Sequence, residues 1–357
     1  MHTLRTKLTV ALGLMILLAG TAAADQLLVL EKDNLQLAIV DPVKLTVLTR
    51  VASGPDPHEV VASADGKIAY ISNYGGEGSE FHSISRVDLL TRKTLPPVEL
   101  GALHSAHGLD FSGGELYFTA ESSKVIGRYD PATSKIDWVL GTGQDRTHMV
   151  MVVQNGERLY ATNARSGSVS IIESTQGFPF GPPPPGFRPP PGARPQRQIT
   201  VWNSTVIPAG RGAEGFDVSP DGKQLWTGNA QDATVTVIDV EAKKAIETFA
   251  IPVRGANRLK FTPDGKHVLV SALGNFANRE PDHANLIVLD AATHKTVKTL
   301  DLGGGAAGIL IPPQGDIAYV AVSGGGKVSV VDLKTFQVRG QIAPLGQPDG
   351  MAWVRGG

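Results

Sequence analysis

Residues 220–239 read PDGKQLWTGNAQDATVTVID. An Asp-Gly turn leads into a short run headed by Trp226, and a polar break follows. A second alternating run then ends on the acid Asp239. Asp-Gly between alternating runs is a strong short-range hairpin signal. An acid where the next hairpin must turn is suited there, because its side chain can bond the backbone amides ahead of it.

Both halves of this pattern recur. The acid closes an apolar pair at Val40-Asp41, Val87-Asp88, Tyr129-Asp130, Ile172-Glu173, Ile238-Asp239, Leu289-Asp290 and Val331-Asp332. Six of these sites are preceded by a turn and a run headed by Tyr70, Tyr117, Tyr160, Trp226, Leu269 or Tyr319. The anchors lie about 43 to 50 residues apart except once, the range of four-stranded propeller blades. The exception, between Tyr160 and Trp226, contains a Pro-rich stretch, 177–198, which cannot donate to a strand ladder. It reads as a loop inserted between the third and fourth strands of one blade.

The chain ends complete the count. Leu27 to Asn34, Leu37 to Asp41 and Thr46 to Val51 match the second, third and fourth strands of a blade, and the missing innermost strand reappears as Asp349 to Val354. A blade shared between the termini closes a ring and removes open edges. The expected architecture is therefore all-β: a seven-bladed β-propeller of four-stranded antiparallel blades, closed by the C-terminal strand joining the N-terminal blade.

Composition agrees. Of 357 residues 41% are apolar and 19% charged, with 41 glycines, which suits a β-rich chain with many tight turns. A formal net charge of −1 gives no global basic field for nucleic acid or an anionic membrane. Arg5 and Lys7, the apolar run Leu8 to Leu18 and the small residues Ala22-Ala23-Ala24 have the form of a secretory signal over residues 1–24. The mature domain then spans 25–357 and is expected in the bacterial periplasm or outside the cell, as a monomer with no membrane span. The chain has no Cys, which excludes disulfides, thiolate metal sites and c-type haem attachment.

The tetrapeptides Tyr70-Ile71-Ser72-Asn73, Tyr160-Ala161-Thr162-Asn163 and Trp226-Thr227-Gly228-Asn229, with the Pro-Asp-Gly-Lys turns at Pro220 and Pro263, resemble the YVTN-type β-propeller repeat proteins of bacteria. The resemblance covers essentially the whole mature chain. It implies the propeller fold and a family that includes binding proteins, propellers attached to redox enzymes, and lactonase-like hydrolases.

Fold does not imply function, so the site must come from the residues. Aligning the blades by their turns stacks His58, His107, His148, Glu214, Asn257, Ala307 and Asp349 at the start of the innermost strands. In a propeller these positions converge on one mouth of the central channel, the top face. Arg146, Arg211 and Arg254 lie in the connections just before three of those strands and could hold an anion. The ring supports three readings: a structural polar collar, a mouth for a small polar ligand or a protein partner such as a periplasmic redox enzyme, and a divalent metal on His58, His107 and His148. A lactonase-like hydrolase using the same His/Glu/Asp residues is the enzymatic alternative. The loops Tyr74 to His82 and Gly274 to Ala284 should rise from this face, bringing His82 and His283 with them, while His104 lies just before His107. The strand-end acids read as turn formers, and Trp138, Trp202, Trp226 and Trp353 as core residues.

Overall fold

The computed structural model describes residues 24–76, 78–178, 181, 184–188, 190–192, 197–274 and 284–356. The segment 1–23 and His283 lie outside the described residues, and so does most of the Gly274 to Ala284 loop. Among the described residues no helix is long and apolar enough to cross a membrane.

Seven four-stranded antiparallel sheets form the seven blades of a propeller. The innermost strands are Pro348–Val354 in blade 1, Pro57–Ala62 in blade 2, Ala106–Ser112 in blade 3, Thr147–Val153 in blade 4, Ala213–Val218 in blade 5, Ala256–Phe261 in blade 6 and Ala306–Leu310 in blade 7. Blade 1 is the split one: Gln26–Glu31 pairs with the C-terminal Pro348–Val354 on one side and with Gln36–Asp41 on the other. The ring closes as the repeats imply.

Each blade is covered on both faces by its neighbours, so the middle strands are apolar on both faces rather than alternating. In Gln26–Glu31, Leu28 and Leu30 pack against Ile71 and Val87 of blade 2, while Leu27 and Val29 pack against Tyr319 and Val328 of blade 7. The fourth strands form the outer rim and alternate exposed and half-buried, as in Thr46–Ala52.

Six of the seven strand-end acids do what their position implies. Asp88 Oδ1, for example, accepts the amides of Leu90 at 2.9 Å and Thr91 at 2.8 Å, and Asp332 Oδ1 those of Lys334 and Thr335 at 3.0 and 2.9 Å. Asp41, Asp130, Asp239 and Asp290 bond in the same way. Glu173 departs from the series. Its blade runs straight on into the long third and fourth strands Ser168–Gly177 and Ile199–Pro208 that carry the Pro-rich insertion, so no turn exists there, and its carboxylate pairs with Arg158 and Lys243 instead. Of the four tryptophans only Trp226 is wholly buried. Trp138, Trp202 and Trp353 are half-buried; the first two sit on outer strands of adjacent blades and pack on each other with ring centroids 4.9 Å apart.

The innermost strands crowd round the axis, and one register shows how closely. Gly108, Gly215, Gly308 and Gly350 each directly follow a residue of the mouth series. A Cβ on Gly108 would lie 2.6 Å from the His148 carbonyl oxygen in the next blade, and one on Gly350 would lie 2.5 Å from that of His58. Overpacking a close-packed contact costs about 1–3 kcal/mol, so Gly108→Ala and Gly350→Ala should each lower the midpoint of thermal unfolding by several degrees. Gly141→Ala, whose Cβ would meet nothing within 4 Å, should leave it unchanged. Circular dichroism melts of the three variants check this, and equal midpoints would refute the crowding argument.

Candidate functional site at the channel mouth

His58, His107, His148, Glu214, Asn257, Ala307 and Asp349 are each the second residue of their innermost strand. The alignment by repeats therefore places all seven on one ring. Local chemistry explains why they are free to face the channel: in every blade the pairing of the innermost strand with its neighbour slips across this position, as between Ala106 and Leu109 or Thr147 and Val150. A hydroxyl from the second strand fills the gap. Thr119 Oγ1 accepts the Gly108 amide at 2.8 Å and donates to the His148 carbonyl of the next blade at 2.7 Å. Thr162 links Met149 to the Glu214 carbonyl, and Ser271 links Arg258 to the Ala307 carbonyl, in the same way. Ser72 and Thr162 are the third residues of two of the tetrapeptides. Asn73, Asn163 and Asn229, their fourth residues, each donate through Nδ2 to two hydroxyls of the third strand.

A second ring stands beside the first. The residue that follows the second strand of each blade reaches the same end of the channel: Lys32, Tyr74, Glu121, Ala164, Ala230, Leu273 and Ser323. Sequence reasoning that stopped at the innermost strands missed it. The signal that finds it is the same repeat, taken one residue past the second strand, which in blade 2 is the residue after the tetrapeptide Asn73. Two further side chains come from the register of the crowded glycines. Glu59 in blade 2 and Arg258 in blade 6 form an ion pair across the ring, and Arg258 lines the mouth.

Together these residues enclose a cavity of about 590 Å³, within the usual range of small-molecule sites. Its charges are paired between blades. Lys32 Nζ donates to His58 Nδ1 and lies 3.4 Å from Asp56 and 3.5 Å from Asp349. Arg146 Nε donates to Glu121 Oε2 at 3.2 Å, and its Nη1 stands 3.9 Å from Glu214. Asn257 Nδ2 donates to Glu214 Oε2 at 3.1 Å. Tyr74 Oη donates to the same Glu121 oxygen as Arg146, at 2.6 Å, and Glu121 Oε1 contacts His148 Nδ1. The imidazoles form a stack: His107 is 4.5 Å from His58 and 3.8 Å from His148 by ring centroid, with Tyr74 edge-on at 4.7 Å.

Burial sets the protonation states. It holds His58 down to about 3, helped by the Lys32 ammonium, and holds His107 well below the usual imidazole range, helped by the neighbouring histidines. Burial pushes Asp349 up against the opposing pull of Lys32 and Arg258. It pushes Glu121 up as well, but His148, Arg146 and Tyr74 outweigh it and hold the carboxyl at about 2.

Not every residue expected at the mouth is there. Arg146 lies two residues before its ring position and lines the cavity; its backbone is left-handed, with φ 52°. Arg211 and Arg254 lie three residues before theirs, and the one-residue offset turns them outward. Arg211 is 76% exposed and pairs with Asp232, and Arg254 is exposed. The buried arginine of the site is Arg258. Of the histidines expected to hold a metal, His107 and His148 are joined by Glu121, their ligand atoms all within 4.8 Å of one another, whereas His58 is engaged by Lys32. His82 and His104 meet edge to face at the surface, with ring centroids 5.9 Å apart, both turned to the Glu80 carbonyl.

No family model matches the chain, and no curated protein matches it. Solved structures do. A functionally unknown protein from Desulfotomaculum acetoxidans superposes with a TM-score of 0.70 at 11% identity, over 93% of this chain and 99% of that one. A putative 6-phosphogluconolactonase from Bacteroides uniformis gives 0.67 at 13%, over 92% and 99%. Kuenenia stuttgartiensis hydrazine synthase gives 0.60 at 20%, over 78% and 77%. The chain is a seven-bladed β-propeller. At such identities the likeness carries the fold and no activity.

The protonation states predict the acid stability of the propeller. His58 and His107 are neutral in the fold, and unfolding frees imidazoles that bind protons below their ordinary value near 6.5. Stability is therefore fullest above about pH 6.5 and falls as the pH drops from there, His58 alone contributing about 1.4 kcal/mol per unit down to about pH 3. Asp349, raised by burial, offsets part of this slope. Denaturant unfolding at pH 7, 6, 5 and 4 should show a shallower decline for His58→Gln than for the parent, and the same slope for both would refute the assignment.

Proposed function

We propose that the protein is an exported binding propeller that takes a small polar molecule into the cavity at the top of its channel. The observation that carries this reading is the cavity itself. It is lined by Lys32, Arg146, Arg258, Glu214 and Asp349 from different blades, so polar groups of both signs converge on one space. A structural collar needs neither a cavity of this volume nor Lys32, Arg146 and Arg258 gathered at one end. Export is supported by the form of residues 1–24.

The test is a thermal-shift screen of the mature protein against polar metabolites, followed by calorimetry on any that stabilise it. A ligand at one hundred times its Kd should contribute about 2.7 kcal/mol. Its affinity should drop at least tenfold in Lys32→Ala and Asn257→Ala, both of which line the cavity. Binding indifferent to both substitutions would place the ligand elsewhere and sink the proposal.

One observation favours hydrolysis as a second reading. Glu121 holds His148 at Nδ1, which leaves Nε2 without a hydrogen-bond partner and 3.9 Å from Glu214, an arrangement suited to a general base. One solved structure of similar fold is a putative 6-phosphogluconolactonase. Under this reading the protein opens γ- or δ-lactones, and His148→Gln lowers kcat/KM by about 10²–10⁴-fold. Turnover no faster than buffer, or unchanged in His148→Gln, would leave the binding function alone.

A further inference from the structure

His107 is wholly buried, and neither of its ring nitrogens has a hydrogen-bond partner. Nε2 of His148 is buried and unpartnered as well. A buried polar atom left unsatisfied costs stability, and native proteins keep few of them. Here three such nitrogens are concentrated in two stacked imidazoles beside one carboxylate.

That carboxylate is held as a ligand would be. Tyr74 Oη and Arg146 Nε both bond Glu121 Oε2, which turns Oε1 toward the imidazoles. One ligand atom from each of His107, His148 and Glu121 falls within 4.8 Å of the others. An ion about 2.0–2.2 Å from nitrogen and oxygen ligands needs only a small closure of that set. Charge points the same way. Five carboxylates, Asp56, Glu59, Glu121, Glu214 and Asp349, stand with three cations, Lys32, Arg146 and Arg258, around the mouth. These eight side chains alone carry a formal surplus of two negative charges.

We infer that His107, His148 and Glu121 form a binding site for a first-row divalent transition-metal ion at the side of the mouth. Two imidazoles and one carboxylate suit Zn²⁺, Co²⁺, Ni²⁺ or Fe²⁺ rather than the all-oxygen preference of Mg²⁺ or Ca²⁺. Glu214, 3.9 Å from His148 Nε2 on the cavity side, supplies further negative charge there. Tyr74 is a positioning residue, since its hydroxyl fixes the carboxylate without joining the ligand set. The inference does not depend on which small molecule the cavity takes.

The test uses the mature, untagged chain, with Zn²⁺ followed by calorimetry and Co²⁺ by its visible absorption. The parent should bind near-stoichiometric Zn²⁺ at micromolar concentration or tighter and give a Co²⁺ ligand-field spectrum. His107→Ala and Glu121→Gln should lose both signals, and Tyr74→Phe should weaken Zn²⁺ binding about 10–100-fold while keeping a cobalt spectrum. A His82→Ala/His104→Ala double variant should bind like the parent, because that surface pair is the competing place for an adventitious ion. Unfolding melts establish which variants are folded. Glu121→Gln, nearly isosteric, carries the test if His107→Ala is not. No uptake by the parent, uptake that persists in folded Glu121→Gln, or uptake lost with the surface pair would each overturn the inference. None of these outcomes bears on whether Lys32→Ala and Asn257→Ala impair ligand binding, so this site and the binding function stand or fall separately.

Discussion

Seven innermost strands must converge on one axis without their backbones colliding, and much of the structure answers that constraint. Where neighbouring strands come closest, a side chain has no room, and four blades carry glycine there. Where the crowding breaks the regular ladder, a threonine or serine from the second strand takes up the freed amide and ties it to the carbonyl of the next blade. The break that relieves the crowding also releases the preceding residue from the sheet and turns it to the channel. One steric problem thus generates the ring of functional side chains and the glycine register at consecutive positions of the innermost strand, and the hydroxyl register opposite them on the second.

The exceptions to the glycine register follow from the same geometry. Glu59, Met149 and Arg258 keep side chains where the other blades keep none. Glu59 and Arg258 meet across the ring, each neutralising a charge that burial would otherwise make expensive. Removing either partner alone would strand the other charge. The pair is in this sense a single unit built from two distant blades.

Much of this was legible in the sequence, because a repeat converts distance along the chain into position on a ring. The split first blade could be read from Leu27 and Asp349, and the seven mouth residues from His58 to Asp349 fall on one strand position without exception. Residues whose role depends on orientation within a register were not legible. Arg211 and Arg254 differ from Arg146 by one residue within the turns before their strands, and Arg146 is aimed by a left-handed backbone that residue type does not announce. Arg258 follows Asn257 and so reads as the outward member of an alternating pair, but the slipped pairing at that point sends both toward the channel. Glu121 and Lys32 lie one residue past the second strands, where six side-chain types in seven blades leave position in the repeat as the sole signal. Trp138 and Trp202 look like core residues from composition alone, and only the packing of two outer strands shows that they cover each other at the rim.

The electrostatics of the mouth separate its two sides. On one side Lys32 holds His58 together with Asp56 and Asp349. On the other, Tyr74 and Arg146 fix Glu121, which meets His148 through one ring nitrogen, while the second nitrogen and the whole of His107 stay unpartnered. An imidazole kept neutral by burial is a lone pair without a proton, and such a lone pair is useful only to a proton donor or a metal ion. The same three residues can therefore serve as a ligand set or as a base with its orienting carboxylate, but His148 cannot be a free base while all of its nitrogens are engaged. Whichever role holds, it depends on His107 staying uncharged, and the burial that keeps it so comes from the packing of seven strands round one axis.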